Sequence, residues 1–263
     1  RYRSVDAHAR LPQLAIEPPG DTQEGLHMDI FGSALLDHAS GLRDHPITIR
    51  RDDDFVDEHS PGLYFEAEPF AHEAAALEHV RGPVLDIGCG AGRHLLWLAT
   101  QGIEAAGIDA SLGAIDTCRQ RGCPAVTQLD VMTTDLAANT RFETALLFGN
   151  NIGIGGTFKG AQHLLSKIAV AMSKTGRLLL TSLDVARTPN PIHLAYHQRN
   201  LSKGRPKGEI TMRFEYRGKT SPWCKWYHPQ PQELEPLVAP TPWRLEVLSV
   251  SENGLYHATL SLT

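Results

Sequence analysis

Val84–Ala99 reads VLDIGCGAGRHLLWLA, and the fold follows from it. Four apolar-rich residues, Val84–Ile87, are followed by glycines at 88, 90 and 92 and then by the helical pattern of Arg93–Gln101, which Gly102 ends. Backbone freedom concentrated where a strand hands over to a helix serves a ligand. Glycine lets the main chain approach closely, and the free N–H groups of the helix start aim at the bound group. A dinucleotide loop of the form G-x-G-x-x-G would need glycine at position 93, which is arginine. The spacing here is Asp86-x-Gly88-x-Gly90-x-Gly92.

The regular pattern extends downstream. Glu104–Asp109 reads as a second strand. Ser111 caps a helix that runs to Arg121 and closes at Gly122. Ala125–Leu129 and the nearly all-apolar Thr144–Phe148 are further strands. A long helical stripe from Phe158 to Met172 is expected to stop at Gly176, before a strand over Arg177–Leu183. Strands alternating with helices at this spacing predict a doubly wound α/β sheet, mostly parallel.

Upstream, Asp29–Ser40 is predicted as a short helix and Ile47–Ile49 as a small strand. The run Asp52–Asp54 reads as a solvated turn, and a helix starts near Pro69 and reaches about Val80. Residues 1–27, with Glu17-Pro18-Pro19-Gly20, are irregular and are expected to pack loosely or to form an arm. Past Asp184 the alternation breaks. Ile192–Lys203 is helical in pattern, and Glu209–Tyr216 and Trp223–His228 form a hairpin about Arg217-Gly218-Lys219. Gln232–Val238 is helical, and Trp243–Val250 and Leu255–Leu262 pair as the closing strands. This predicts an N-terminal arm and lid segment over 1–80, and a main domain over 81–263 carrying a cap insertion at about 185–228.

Composition bounds the function. The chain has 263 residues, 41% of them hydrophobic, and a net charge of −5 without a long basic run, which argues against a nucleic-acid partner. No apolar segment reaches the roughly 20 residues that span a bilayer. No secretory leader pattern is visible, and the four cysteines, Cys89, Cys118, Cys123 and Cys224, lack CxxC pairing. A cytoplasmic protein without a structural metal or disulfide framework is expected.

Four motifs in order resemble those of the class I S-adenosylmethionine-dependent methyltransferases. They are the Asp86–Gly92 loop, Gly107-Ile108-Asp109, Leu129-Asp130-Val131, and Leu146–Asn151. The resemblance covers residues 83–184 and extends to the terminal strand pair. It implies a seven-stranded sheet with an antiparallel last strand and S-adenosyl-L-methionine as cofactor. Asp86, Gly88, Cys89, Gly90 and Arg93 would then lie against the cofactor's amino-acid and ribose parts. Asp109, with Ala110 beside it, would accept the ribose hydroxyls, and Asp130 and Val131 would meet the adenine. Phe148 closes the fourth strand at the cofactor, and Tyr64 serves as a lid residue. The pattern (D/N)-P-P-(Y/F/W) of methyltransferases that act on nucleobase amino groups is absent, since Asn150-Asn151-Ile152-Gly153 contains no proline, which argues against DNA or RNA as acceptor.

The acceptor is expected to be a small molecule methylated on oxygen or nitrogen, with a homodimer left open. Asn150 stands beside the transfer site. His193 and His197, four apart on one helix, are the candidates for a base, against a structural pair. Together they lack a clear third metal ligand, Asp184 being the one candidate, so no metal is expected. Two other readings stay open: transfer of another group of the cofactor, such as aminopropyl, and a cofactor-binding module without catalysis.

Overall fold

The computed structural model describes residues 29–123, 125–136 and 141–263. The arm expected over residues 1–27 lies outside them. Helix α1 (Ile30–Ala39) leads to a hairpin of β1 (Ile47–Arg51) and β2 (Val56–His59), and then to α2 (Ala71–Leu77). The alternating part comprises β3 (Val84–Ile87), α3 (Arg93–Thr100), β4 (Ala105–Asp109), α4 (Leu112–Gln120), β5 (Val126–Gln128), β6 (Phe142–Leu147), α5 (Phe158–Val170) and β7 (Met172–Leu183). It is followed by α6 (Pro191–Ser202), β8 (Glu209–Tyr216), β9 (Lys219–Thr220), β10 (Cys224–Tyr227), α7 (Leu234–Val238), β11 (Trp243–Val250) and β12 (Leu255–Leu262).

The main sheet has seven strands in the order β11-β12-β7-β6-β3-β4-β5. β3 to β7 pair in parallel, and β12 is antiparallel to both of its neighbours, as expected of the last strand. The strands are apolar on both faces because helices cover both. Leu85, Ala145, Leu147 and Leu180 pack under α5, and Val84, Leu146 and Leu179 under α2 and α3. The strand order reverses between β3 and β6, and the carboxyl ends of strands at such a switch point are where sheets of this kind bind ligands.

The segments before and after the alternating part combine in a second, antiparallel sheet. β8 pairs with β1 on one side and β10 on the other, with Ile49 opposite Phe214 and Cys224 opposite Met212. The segments expected as lid and insertion thus share one sheet, the cap sheet, a long-range pairing that no local pattern encodes. An aromatic ladder ties this cap to the glycine loop. The Tyr64 and Phe31 rings lie 5.0 Å apart and those of Phe31 and Phe214 5.9 Å apart. At the cap's other end Trp226 lies directly on Gly153, where any side chain would collide with the indole.

Two local expectations are corrected. Gly176 does not stop a helix. α5 ends at Val170 and β7 begins at Met172, with Phe142 opposite Met172 but Thr144 opposite Arg177, so the residues between bulge out of the ladder. The acids at 52–54 do form a turn, but two are engaged. Asp53 takes two hydrogen bonds from Arg51 at 2.7 Å, and Asp52 accepts from the Tyr196 hydroxyl at 2.7 Å and from Arg199 at 2.6 Å.

α1 is anchored to the main domain by Asp29. Its Oδ1 caps α1 at Gly32 N (2.8 Å), while Oδ2 accepts from Ser111 Oγ (2.8 Å) and Gly113 N (2.9 Å). The two helices touch backbone to backbone, and a Cβ at Gly113 would stand 2.6 Å from the Gly32 carbonyl carbon. Gly113→Ala is therefore expected to cost about 1–3 kcal/mol by forcing the helices apart. Thermal unfolding followed by circular dichroism should show a fall of about 3–10 °C.

Candidate active site

Gly88, Gly90 and Gly92 all hold left-handed backbone, at φ of 74°, 54° and 77°. Their surroundings differ. A Cβ at Gly92 would run into the sulfurs of Cys118 and Cys123, and one at Gly88 into the Asn151 amide. At Gly90 the nearest atom is the Tyr64 ring at 3.6 Å, so this glycine has room for a Cβ but lies buried against the expected lid residue. Asn151 Nδ2 donates to the carbonyls of Ile87 (2.8 Å) and Gly88 (2.9 Å) and staples the loop to the end of β6.

Four charged or ionisable side chains meet beneath the loop. Glu73 on α2 is 1% exposed, and its Oε1 pairs with Arg93 while its Oε2 accepts from Phe70 N at 2.9 Å. His94 lies between two carboxylates, with Nε2 3.5 Å from Glu73 and Nδ1 3.7 Å from Asp86. Its ring meets Phe148 edge-on at 5.1 Å. Burial by itself would raise the Glu73 pKa, but His94 and Arg93 outweigh it and hold the carboxyl at about 2. Burial would lower His94, and the same two carboxylates hold it above its ordinary value.

This network is incomplete among the described residues. Asp86 Oδ2, Arg93 Nη1 and His94 Nε2 are buried without a hydrogen-bond partner. Unpaired buried polar atoms are rare and costly, and a cluster of them at the glycine loop calls for a polar ligand. Arg93 also stacks on Phe70, with 4.5 Å from its guanidinium carbon to the ring centre, which keeps its free nitrogen in place.

Asp109 ends β4 and accepts from Gly90 N and Ser111 N, each at 2.9 Å. Burial raises its pKa to about 6 despite these bonds. It retains partial exposure at the carboxyl end of β4. Tyr64 has the same character, and burial raises its phenol pKa. Asp130, after β5, is exposed and accepts from Met132 N at 2.8 Å, with Val131 buried behind it. Ala110 is exposed beside Asp109, and Cys89 is buried with its sulfur 4.0 Å from that of Cys118.

At the end of β6, Asn150 adopts left-handed backbone (φ 66°), and its Oδ1 is buried without a partner. The α6 histidines are held by the cap. His193 Nδ1 lies 3.1 Å from an Arg51 guanidinium nitrogen, and its ring packs on Phe55 at 4.5 Å. His197 is buried in the same helix. Burial lowers the pKa of both, with Arg51 adding to the effect.

Sequence reading missed Glu73, His94 and Asn151. Glu73 carried a signal, as an acid on the same helical face as Phe70 and Leu77. A concavity of about 540 Å³ on the other face of the cap sheet is lined in part by Thr48, Arg50, Arg213 and Glu215. There Glu215 already pairs with both arginines and none of these four side chains has an unpartnered buried atom, in contrast to the strand ends. Among the described residues no group of three or more His, Cys, Asp or Glu is placed to hold a metal ion. No helix among them is long and apolar enough to cross a membrane.

Residues 84–176 match the family model described as a methyltransferase domain. No curated protein sequence matches the chain. Among solved structures, the chain is similar to a SAM-dependent methyltransferase from Bacteroides fragilis in complex with S-adenosyl-L-homocysteine. The TM-score is 0.78 at 22% identity, over 91% of this chain and 97% of that one. It also resembles the CcbJ methyltransferase from Streptomyces caelestis, with a TM-score of 0.58 at 13% identity, over 76% and 92% of the two chains. A third is the glycopeptide N-methyltransferase MtfA complexed with S-adenosyl-L-homocysteine, at 0.52 and 16%, over 73% and 87%. At these identities the likeness is one of fold.

Proposed function

We propose that the protein binds S-adenosyl-L-methionine and methylates an oxygen or nitrogen of a small molecule; residues 84–176 match a methyltransferase-domain model, and the fold is similar to that of a SAM-dependent methyltransferase. The observation that carries this reading is the buried polar cluster at the strand-to-helix turn, in which Asp86 Oδ2 and Arg93 Nη1 lack hydrogen-bond partners among the described residues, together with Asp109 held against the loop by Gly90 N. The cofactor, when bound, supplies a methyl group already activated on a sulfonium.

The residues fit this ligand part by part. Arg93 Nη1 offers a charged donor for the cofactor's carboxylate, and buried Asp86 an acceptor for its ammonium. Asp109 takes the ribose hydroxyls and Asp130, with Val131, the adenine. Tyr64, over Gly90, covers the cofactor. A decarboxylated cofactor would leave Arg93 Nη1 unpaired in a buried site, which argues against aminopropyl transfer. The acceptor enters between the strand ends and the cap. Met212 and Phe214 and, on the neighbouring β1, Ile49 stand on one face of the cap sheet, the face from which Phe214 joins the aromatic ladder to Tyr64. Such a lid encloses a molecule of modest size and excludes water. In this reading Asn150 faces the acceptor, and His193 and His197 brace the lid.

Two measurements test the proposal. Calorimetry should give saturable binding of S-adenosyl-L-homocysteine. Mass spectrometry of a small-molecule panel incubated with the cofactor should show products heavier by one CH2, as a methyl group replaces a hydrogen. Binding with no product from any small acceptor, while a macromolecule is labelled, refutes the acceptor class.

Binding should also depend on pH through Asp109. Its folded pKa is raised to about 6, so the carboxylate that accepts hydroxyl protons predominates above pH 6 and is lost below it. The affinity for S-adenosyl-L-homocysteine is expected to fall about tenfold between pH 7.5 and pH 5. A flat calorimetric profile over that range would exclude this role.

A further inference from the structure

Asp109 is gripped at both carboxylate oxygens, Oδ2 by Gly90 N and Oδ1 by Ser111 N, each at 2.9 Å. Its aim is therefore set by two stretches of backbone, the glycine loop and the start of α4. The start of α4 is itself held from outside. Ser111 is the N-cap of α4, and its Oγ accepts from Ala114 N at 2.9 Å. The same hydroxyl donates to Asp29 Oδ2 at 2.8 Å, and that oxygen also accepts from Gly113 N at 2.9 Å. Asp29 Oδ1 accepts from Gly32 N at 2.8 Å, as the N-cap of α1.

One carboxylate thus serves two helix starts, which touch at Gly32 and Gly113. Three donors share its two oxygens, a set that an amide with a single acceptor oxygen cannot satisfy. The positive ends of both helix dipoles meet there and favour an anion. Oδ1 alone would cap α1. Oδ2 reaches across to the turn that follows Asp109.

We propose that Asp29 is a positioning residue of the cofactor site: by holding Ser111 and Gly113 it fixes the backbone N–H that aims the Asp109 carboxylate at the ribose hydroxyls. This rests on the methyl-transfer reading above, in which Asp109 takes those hydroxyls. Asp29 itself makes no bond to the cofactor. Its influence also runs through charge. Burial is the main cause that raises the Asp109 pKa, the bonds from Ser111 and Gly90 hold it down, and the carboxylates of Asp29 and Asp86 push it up. The other titratable groups that face Asp109 are the Tyr64 phenol and the Cys89 thiol. Both lie above their ordinary values, Tyr64 through burial and Cys89, against the pull of Cys118, through burial. Both are therefore neutral between pH 5 and pH 7.5. Removing the Asp29 charge eases the ionisation of Asp109, so the carboxylate persists to lower pH.

Calorimetry with S-adenosyl-L-homocysteine between pH 5 and pH 7.5 tests this on the full chain with Asp29→Asn and Asp29→Ala. Asparagine caps a helix as well as aspartate does, so the first variant keeps α1 capped. Wild type should lose affinity as pH falls through about 6. In Asp29→Asn the midpoint of that loss is expected about half a pH unit lower, since one like charge has gone. At pH 7.5 affinity should fall about threefold in Asp29→Asn and about tenfold in Asp29→Ala, where Ser111 Oγ loses its outside partner altogether. A residue that only anchored α1 would lower the melting temperature and leave the pH midpoint in place. An unmoved or raised midpoint in Asp29→Asn overturns the proposal, and so does an Asp29→Ala protein that binds within twofold of wild type at pH 7.5. Should Asp29→Ala fail to fold, the pH profile of Asp29→Asn decides alone. Wild type that does not bind, or binds without pH dependence, refutes the cofactor assignment beneath the proposal; a pH-dependent wild type with unaltered variants refutes the role of Asp29 alone.

Discussion

Glu73→Ala is expected to be the most damaging single substitution in the described chain. It removes the carboxylate that pairs with Arg93, faces His94 and caps the first turn of α2. Arg93 and His94 are each 8% exposed, so both would be left in a buried site with one partner fewer. Breaking a buried ion pair from one side costs about 3–5 kcal/mol, because the remaining charge is neither solvated nor matched. Chemical denaturation should show a lower midpoint with an unchanged slope. Loss of less than about 1 kcal/mol would mean that water reaches Arg93.

The same group sets an acid limit. Its folded pKa of about 2 lies below the ordinary glutamate value, so its stabilising contribution is full above about pH 4.5 and is shed as pH falls toward 2. The variant should lack that part of the acid transition. Binding should suffer as well, since Arg93 Nη1 is positioned through Glu73. Glu73→Gln, which can still accept from Phe70 N, is expected to retain more stability than Glu73→Ala and less than wild type.

The second large effect is on binding. Asp109→Ala is expected to lower the affinity for S-adenosyl-L-homocysteine at least a hundredfold at pH 7.5. Two charged hydrogen bonds to ligand hydroxyls are lost, each worth about 1.5–3 kcal/mol. Gly90 N and Ser111 N lose their acceptor at the same time, so the loop and the start of α4 relax together. Asp109→Asn keeps the shape and one acceptor oxygen, and should fall between the two. Its affinity should not change between pH 7.5 and pH 5, because the titrating group is gone. Calorimetry on both variants separates the lost carboxylate from a collapsed loop. An Asp109→Ala protein that binds as tightly as wild type would refute the assignment of this acid to the cofactor.

These residues differ in how far a sequence reveals them. Asp86, Gly88, Gly90, Gly92, Asp109 and Asp130 all sit at strand ends, and strand ends are marked by local pattern, an apolar run that stops at glycine or an acid. Asn151 stood beside the expected Asn150, but its two bonds to the β3 end link strands that are distant in the chain. His94 followed Arg93 in plain view, yet its role depends on a carboxylate from another helix. The α6 histidines share a helical face as their spacing implies, but what that face meets is Arg51 and Phe55 of the N-terminal hairpin.

By itself the sequence determined the alternating strands and helices, the loop geometry that only glycine tolerates, and the acids that border it. Those features come from side-chain periodicity and backbone sterics over a few residues, which no distant contact has to supply. Tertiary structure alone decided that β1 and β8 share a cap sheet and that Glu73 pairs with Arg93 at the glycine loop. Each of these brings together segments far apart in the chain. Their energy comes from burying charge and apolar surface at once, a quantity that exists only after the chain has closed on itself.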